Sequence, residues 1–138
     1  MTATLSQSLA PHLPLLRRYA RALTGSQTSG DNYVRACLQT LLADPSVFPG
    51  DLDSRVGLYR IFHILWSGTR LDSPGVAPTG GKLEQVAQER LAAMPPDSRQ
   101  ALLLTSMEGF SDADAAIIMG RDKAEVPLLV DQAVAEID

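Results

Sequence analysis

Residues 109–138 read GFSDADAAIIMGRDKAEVPLLVDQAVAEID. Ser111 followed by Asp114 three residues on resembles a capping box, the pattern that opens a helix. The helix DADAAIIM then runs to Gly120, a residue that accepts the left-handed backbone at which helices stop. Asp122 stands at the next cap position with Glu125 three residues later, and Val126, Leu129, Val130 and Ala133 continue at helical spacing. Helix, glycine turn, helix of this length is helix-turn-helix spacing. The second helix has the wrong charge for DNA. Between Asp122 and Asp138 five acidic residues face the single base Lys123, a local net of −4, whereas a helix that docks on phosphates needs Lys and Arg. Pro127 adds a conflict of its own. In a helix begun at Asp122 it lacks an N–H and crowds the carbonyl of Lys123, at about 3 kcal/mol, so a kink or a start delayed to near Val126 is expected.

Upstream, the chain is helical in pattern throughout. Leu13, Leu16, Ala20 and Leu23 form a stripe ending at Gly25, and a second helix is expected from Asp31, with Val34, Cys37, Leu38, Leu41 and Leu42 on one side. Asp44-Pro45 ends it, because the residue before proline is driven out of the α region. A third helix, SRVGLYRIFHILWSG, begins at Asp53 or Ser54. Its apolar residues Val56, Tyr59, Ile61, Phe62, Leu65 and Trp66 cover too much of the circumference for one stripe, which predicts a central, buried helix. SGTRLDSPGVAPTGGK then reads as a flexible Gly/Pro linker. KLEQVAQERLAAM restores helical spacing, and Pro96 opens the Leu-rich segment that ends at Gly109. The expectation is an all-α fold of two small helical subdomains: residues 1–66, a linker over 67–82, and residues 83–138.

Composition fits this picture. The 138 residues are 45% hydrophobic and 20% charged, enough for a buried core. Charge is uneven: residues 1–70 hold seven arginines against four aspartates, net +3, while residues 71–138 hold five bases against twelve acids, net −7. Cys37 is the only cysteine, so no internal disulfide and no cysteine metal site is expected, and a cytoplasmic setting follows. No apolar run approaches the ~18 residues of a membrane span, and no secretory signal opens the chain. His12 and His63 stand apart from other ligand types. Ser111, Asp112 and Asp114 are accounted for by helix capping, and no nucleophile–base pair or phosphate loop can be assembled. Neither an enzyme nor a cofactor protein is expected.

What remains is an interaction module. Tyr33, Val34, Cys37 and Leu41 on the second helix, with Val126, Leu129, Val130 and Ala133 on the last, are the candidate partner-binding residues, although core packing is the favoured role for Cys37 and Leu41, with Tyr33 the candidate for partner contact on that ridge. Arg17, Arg18 and Arg21 span one helical turn, either as a solvated face or as ion-pair partners for the acidic half or for a further domain.

The stretch LAAMPPDSRQALLLTSMEGFSDADAAIIMGRDKAEV resembles region 4 of extracytoplasmic-function sigma factors. Met94-Pro95, Arg99, Leu102 to Leu104, Gly109-Phe110, Ser111, Ala115-Ala116 and Gly120 hold the family's positions. SGDNYVRACLQTLL and VGLYRIFHI are similar to sigma region 2. The departures are specific. AEVPLLVDQAVAEID has no Lys or Arg where sigma factors contact the promoter, and Arg35 and Ala36 stand where the polymerase-binding Gln-Glu pair is expected. A sigma scaffold without its working surfaces resembles the sigma-like domain of PhyR-type response regulators. That resemblance implies a sigma-factor mimic that captures a NepR-like anti-sigma factor and binds neither DNA nor membrane. It also implies a C-terminal receiver domain, with its phosphoacceptor Asp, beyond Asp138. The alternatives are a working sigma factor and a helix-turn-helix regulator.

Overall fold

A computed structural model describes residues 5–69 and 96–137, and every regular element among them is helical. A short helix α1 (Leu5–Leu9) leads through a 3₁₀ turn (Ala10–His12) into α2 (Leu13–Thr24). Leu16, Tyr19, Ala20 and Leu23 of α2, spaced as one face of a helix, are fully buried. Gly25 ends α2 with φ 76°, and its N–H donates to the Arg21 carbonyl at 2.9 Å.

The next helix, α3 (Gln27–Ala43), starts four residues before the expected Asp31. Ser26 is the cap: its backbone is extended, and its hydroxyl accepts from the Ser29 N–H at 3.2 Å. Asp31 lies one turn inside the helix and is bound through both oxygens by Arg21 of α2, at 3.0 and 3.1 Å. Gly30 lets the two helices touch. A Cβ there would lie 2.7–2.8 Å from the backbone of Ala20 and Arg21, closer than any side chain can approach. As expected from Asp44-Pro45, α3 ends at Ala43.

Helix α4 (Ser54–Thr69) is the centre of the molecule. Asp53 accepts from the Arg55 and Val56 N–H groups at its start, and Val56, Leu58, Tyr59, Ile61, Phe62 and Trp66 are all buried. Five of the chain's seven aromatic residues meet around it. Tyr19 contacts Tyr59 and Phe62, Tyr33 contacts Phe62, and Tyr59 contacts Phe110, with ring centroids 5.0–6.1 Å apart. The helix runs to Thr69, so Ser67 and Gly68, the first residues of the expected linker, are helical. The rest of that linker and the KLEQVAQERLAAM helix lie outside the described residues.

In the second half, α5 (Pro96–Leu102) opens on Pro96 and continues as one wide π turn, Leu103–Met107, closed by the Glu108 N–H to the Leu103 carbonyl at 3.0 Å. Ser111 caps α6 (Asp112–Met119), accepting from the Asp114 N–H at 3.1 Å, and Gly120 ends it at φ 67°. The last helix, α7, spans Glu125–Ile137. It does not begin at Asp122. Residues 122–124 form turns whose carbonyls accept from Glu125 and Val126, so Pro127 becomes the third residue of the helix, where an N–H has no intrahelical partner to lose. The delayed start resolves the proline conflict. Arg121 ties the corner together, reaching Glu125 at 2.8 Å and also Asp97 of α5. One continuous buried cluster runs from Leu9 through α4 to Val126. Among the described residues no helix is long and apolar enough to cross a membrane.

Candidate partner-binding surfaces

Of the eight residues singled out for partner contact, five point inward. Val34, Cys37 and Leu41 on α3 and Val126 and Ala133 on α7 are buried. Tyr33, Leu129 and Val130 are half-buried, packed on the edge of the core. The helical spacing that identified these positions is the spacing of the core-facing stripe. Burial also pushes the Cys37 thiol up to about 12, so it stays protonated and unreactive near neutrality.

The apolar surface open to solvent lies beside those residues. On α3 the neighbour of the buried Leu41, Leu42, is 72% exposed. Together with Leu38 and Leu41 it faces Leu5, Leu9 and Leu13 of α1 and α2 across an apolar groove of about 530 Å³. On α7, Leu128 is 62% and Val134 42% exposed, in company with the exposed acids Asp131 and Glu136. Leu42 was expected on the same side as Val34, Cys37, Leu38 and Leu41, but it lies a further 100° around the helix from Leu41, past the edge of the buried stripe, and faces out. The exposed face of α7 carries neither Lys nor Arg, and Arg121 at its entrance is occupied by Asp97 and Glu125.

Between the halves runs a polar seam. Glu108, whose side chain is fully buried, receives Arg18 of α2 at 2.9 Å. It also receives the Tyr59 hydroxyl of α4 and lies 3.5 Å from Arg55. Burial, reinforced by Glu108, pushes the Tyr59 hydroxyl well above its ordinary value, so it remains a proton donor. Further along the seam Arg99 donates to the Leu23 carbonyl at 2.7 Å and Arg60 to the Ile118 carbonyl at 3.1 Å. There His63 Nδ1 lies 2.8 Å from the Gln100 amide nitrogen. The arginine cluster of α2 is thereby divided: Arg18 reaches the acidic half, Arg21 binds Asp31, and Arg17 stays exposed. Among the described residues there is no group of three or more His, Cys, Asp or Glu placed to hold a metal.

Comparison with known proteins gives this arrangement a lineage. The family described as the Sigma2 domain of PhyR matches residues 9–63, and that described as response regulator PhyR, sigma-like domain, matches residues 91–138. The phyllosphere-induced regulator PhyR of Methylorubrum extorquens is 40% identical over 137 residues, 96% of this chain and 48% of that protein. The chain thus spans about half the length of that curated relative. The NMR structure of the PhyRSL–NepR complex from Sphingomonas sp. Fr1 is 53% identical, with 98% of this chain and 87% of that one covered and a TM-score of 0.81. The sigma factor RpoE of Bartonella quintana, in co-crystals with the anti-sigma factor NepR, is 26% identical, with 96% of this chain and 92% of that one covered and a TM-score of 0.75. The chain belongs to the family of PhyR sigma-like domains.

Proposed function

We propose that this chain is a sigma-factor mimic that binds and sequesters a NepR-type anti-sigma factor, releasing the genuine sigma factor in the cytoplasm, and that it does not bind promoter DNA. The observation that carries the reading is a sigma scaffold whose last helix exposes acids in place of bases. A surface of that sign repels the phosphate backbone yet leaves Leu128 and Val134 open to an apolar partner face. The reading is supported by two relatives of the same fold, a PhyR domain and a sigma factor, each described in complex with NepR. An amphipathic helix laid in a groove is a common mode of recognition, and the α1–α3 groove is a candidate seat for one. The mechanism is competition, so the domain needs no catalysis: each anti-sigma molecule held here is withdrawn from sigma. In the whole protein a C-terminal receiver domain would control access, phosphorylation shifting the population toward the form that binds.

The test is displacement. The chain is titrated into a preformed complex of NepR with its sigma factor, and free sigma is followed by size-exclusion chromatography. Stoichiometric release supports the reading. An intact sigma–NepR complex at excess chain defeats it.

A further inference from the structure

The seam residue Glu108 belongs to neither exposed surface. Its fully buried carboxylate sits directly after the π turn Leu103–Met107. Such a turn holds one residue more than an α-turn and rotates the succeeding residues by about a quarter of a circle, and it recurs at functional positions. Burying a carboxylate is strongly unfavourable unless its oxygens are paired, and here the side-chain partners come from the other half of the molecule. Arg18 binds Oε2 at 2.9 Å and the Met107 carbonyl at 3.3 Å. The Tyr59 hydroxyl donates to Oε1. Arg55 donates to the Glu108 carbonyl at 2.8 Å, lies 3.5 Å from Oε1, and stacks over the Phe110 ring at 4.1 Å. Three donors on α2 and α4 thus grip one corner of the second half through side chain, backbone and ring. If the halves part, the carboxylate loses every one of these partners at once.

We infer that Glu108 is a clamp that fixes the relative placement of the two halves and thereby pre-organises the surface an anti-sigma factor takes. This rests on the anti-sigma reading. The placement it holds is the relevant one. A TM-score of 0.81 over 98% of the chain, against a relative in complex with NepR, requires both halves to superpose together, since neither alone is large enough to give it. A protein whose competent arrangement is only partly populated binds more weakly in proportion to that fraction. The clamp therefore acts on affinity from a position that the partner cannot touch.

The experiment uses the whole chain with Glu108→Gln and Arg18→Gln variants. Exposed Gln39 and Lys123 are changed to cysteine to carry a distance-reporting dye pair, the native Cys37 being buried. The distance distribution is recorded without partner, and affinity for the NepR of Sphingomonas sp. Fr1 is measured by calorimetry. Glu108→Gln is expected to broaden the distribution toward longer distances and to weaken NepR binding about tenfold. Arg18, half exposed, is expected to give a smaller change of the same sign. Should Glu108→Gln fail to fold in far-UV circular dichroism, Arg18→Gln carries both readouts, because Tyr59 and Arg55 still pair the carboxylate. Unchanged distances with unchanged affinity overturn the inference, as does a widened distribution with tighter binding. An unaltered chain that does not bind NepR at all overturns the functional reading beneath it, and the inference with it.

Discussion

Helices α4 and α7 are both rich in apolar residues, and the molecule uses them in opposite ways. Six apolar side chains of α4 are buried, because α1 and α3 cover it from one side, with Tyr19 of α2 reaching in, and α6 covers it from the other. Among the described side chains of α7 only Val126 and Ala133 are buried, while Leu128 and Val134 remain exposed beside Asp131 and Glu136. Apolar content alone does not distinguish a core helix from a recognition helix. What separates them is the number of neighbouring elements, and on α7 the exposed apolar residues have acids for company. That combination suits a partner with an apolar, basic-edged face and discourages nucleic acid.

The largest expected effect lies on α4. Phe62→Ala removes a fully buried ring that touches Tyr19 and Tyr33, and about 3–5 kcal/mol of stability should be lost in urea unfolding. If the loss is under about 1 kcal/mol, α4 is not the centre of the core and the contrast with α7 collapses.

Next comes the α2–α3 contact that supports α4. Gly30→Ala forces a methyl group against the backbone of Ala20 and Arg21 and should destabilise by about 1–3 kcal/mol. Gain of stability, as for a substitution that simply raises helix propensity, would show that the helices can separate freely.

A smaller, pH-dependent effect belongs to His63 in the seam. Burial, with Arg60 nearby, lowers its pKa below the ordinary 6.5. The native state therefore favours the neutral ring, and unfolding takes up protons in the window below pH 6.5. Stability contributed by this group is complete above that pH and declines as pH falls through the lowered value. Urea midpoints measured from pH 7.5 to 5 should fall less steeply for His63→Gln than for the unaltered chain. Parallel profiles would show that His63 titrates alike in the folded and unfolded chain.

The smallest effect on stability should come from α7. Leu128→Ala ought to change unfolding free energy by no more than about 0.5 kcal/mol while weakening NepR binding severalfold. A large stability loss would make Leu128 a core residue after all, and erase the distinction drawn with α4.

Local signals were legible in the residues themselves. Gly25, Gly120 and Ser111 each specify a backbone event through one side chain or the lack of one, and all three sit where that chemistry places them. Asp31 and Asp122 mislead for the same reason that Ser26 was overlooked. Several residue types can cap a helix, and only the surrounding geometry selects among them; Arg21 claims Asp31, and Pro127 makes a later start comfortable. The central position of α4 was readable from its circumference. The outward face was not. A ridge such as Tyr33, Cys37 and Leu41 is the same pattern whether it meets a partner or the core, and its neighbours across space decide. Glu108 was invisible for a related reason: its partners Arg18, Arg55 and Tyr59 lie 90, 53 and 49 residues away, and nothing local marks a buried carboxylate.

A sigma scaffold with an acidic last helix should serve an anti-sigma factor and not a promoter. Calorimetric titration of the chain with NepR, alongside a promoter duplex at several salt concentrations, tests it most directly. Tight binding of NepR and no heat with the duplex at any salt are expected. Duplex binding that weakens steeply as salt rises, with no heat from NepR, would contradict it and make the chain a working sigma factor.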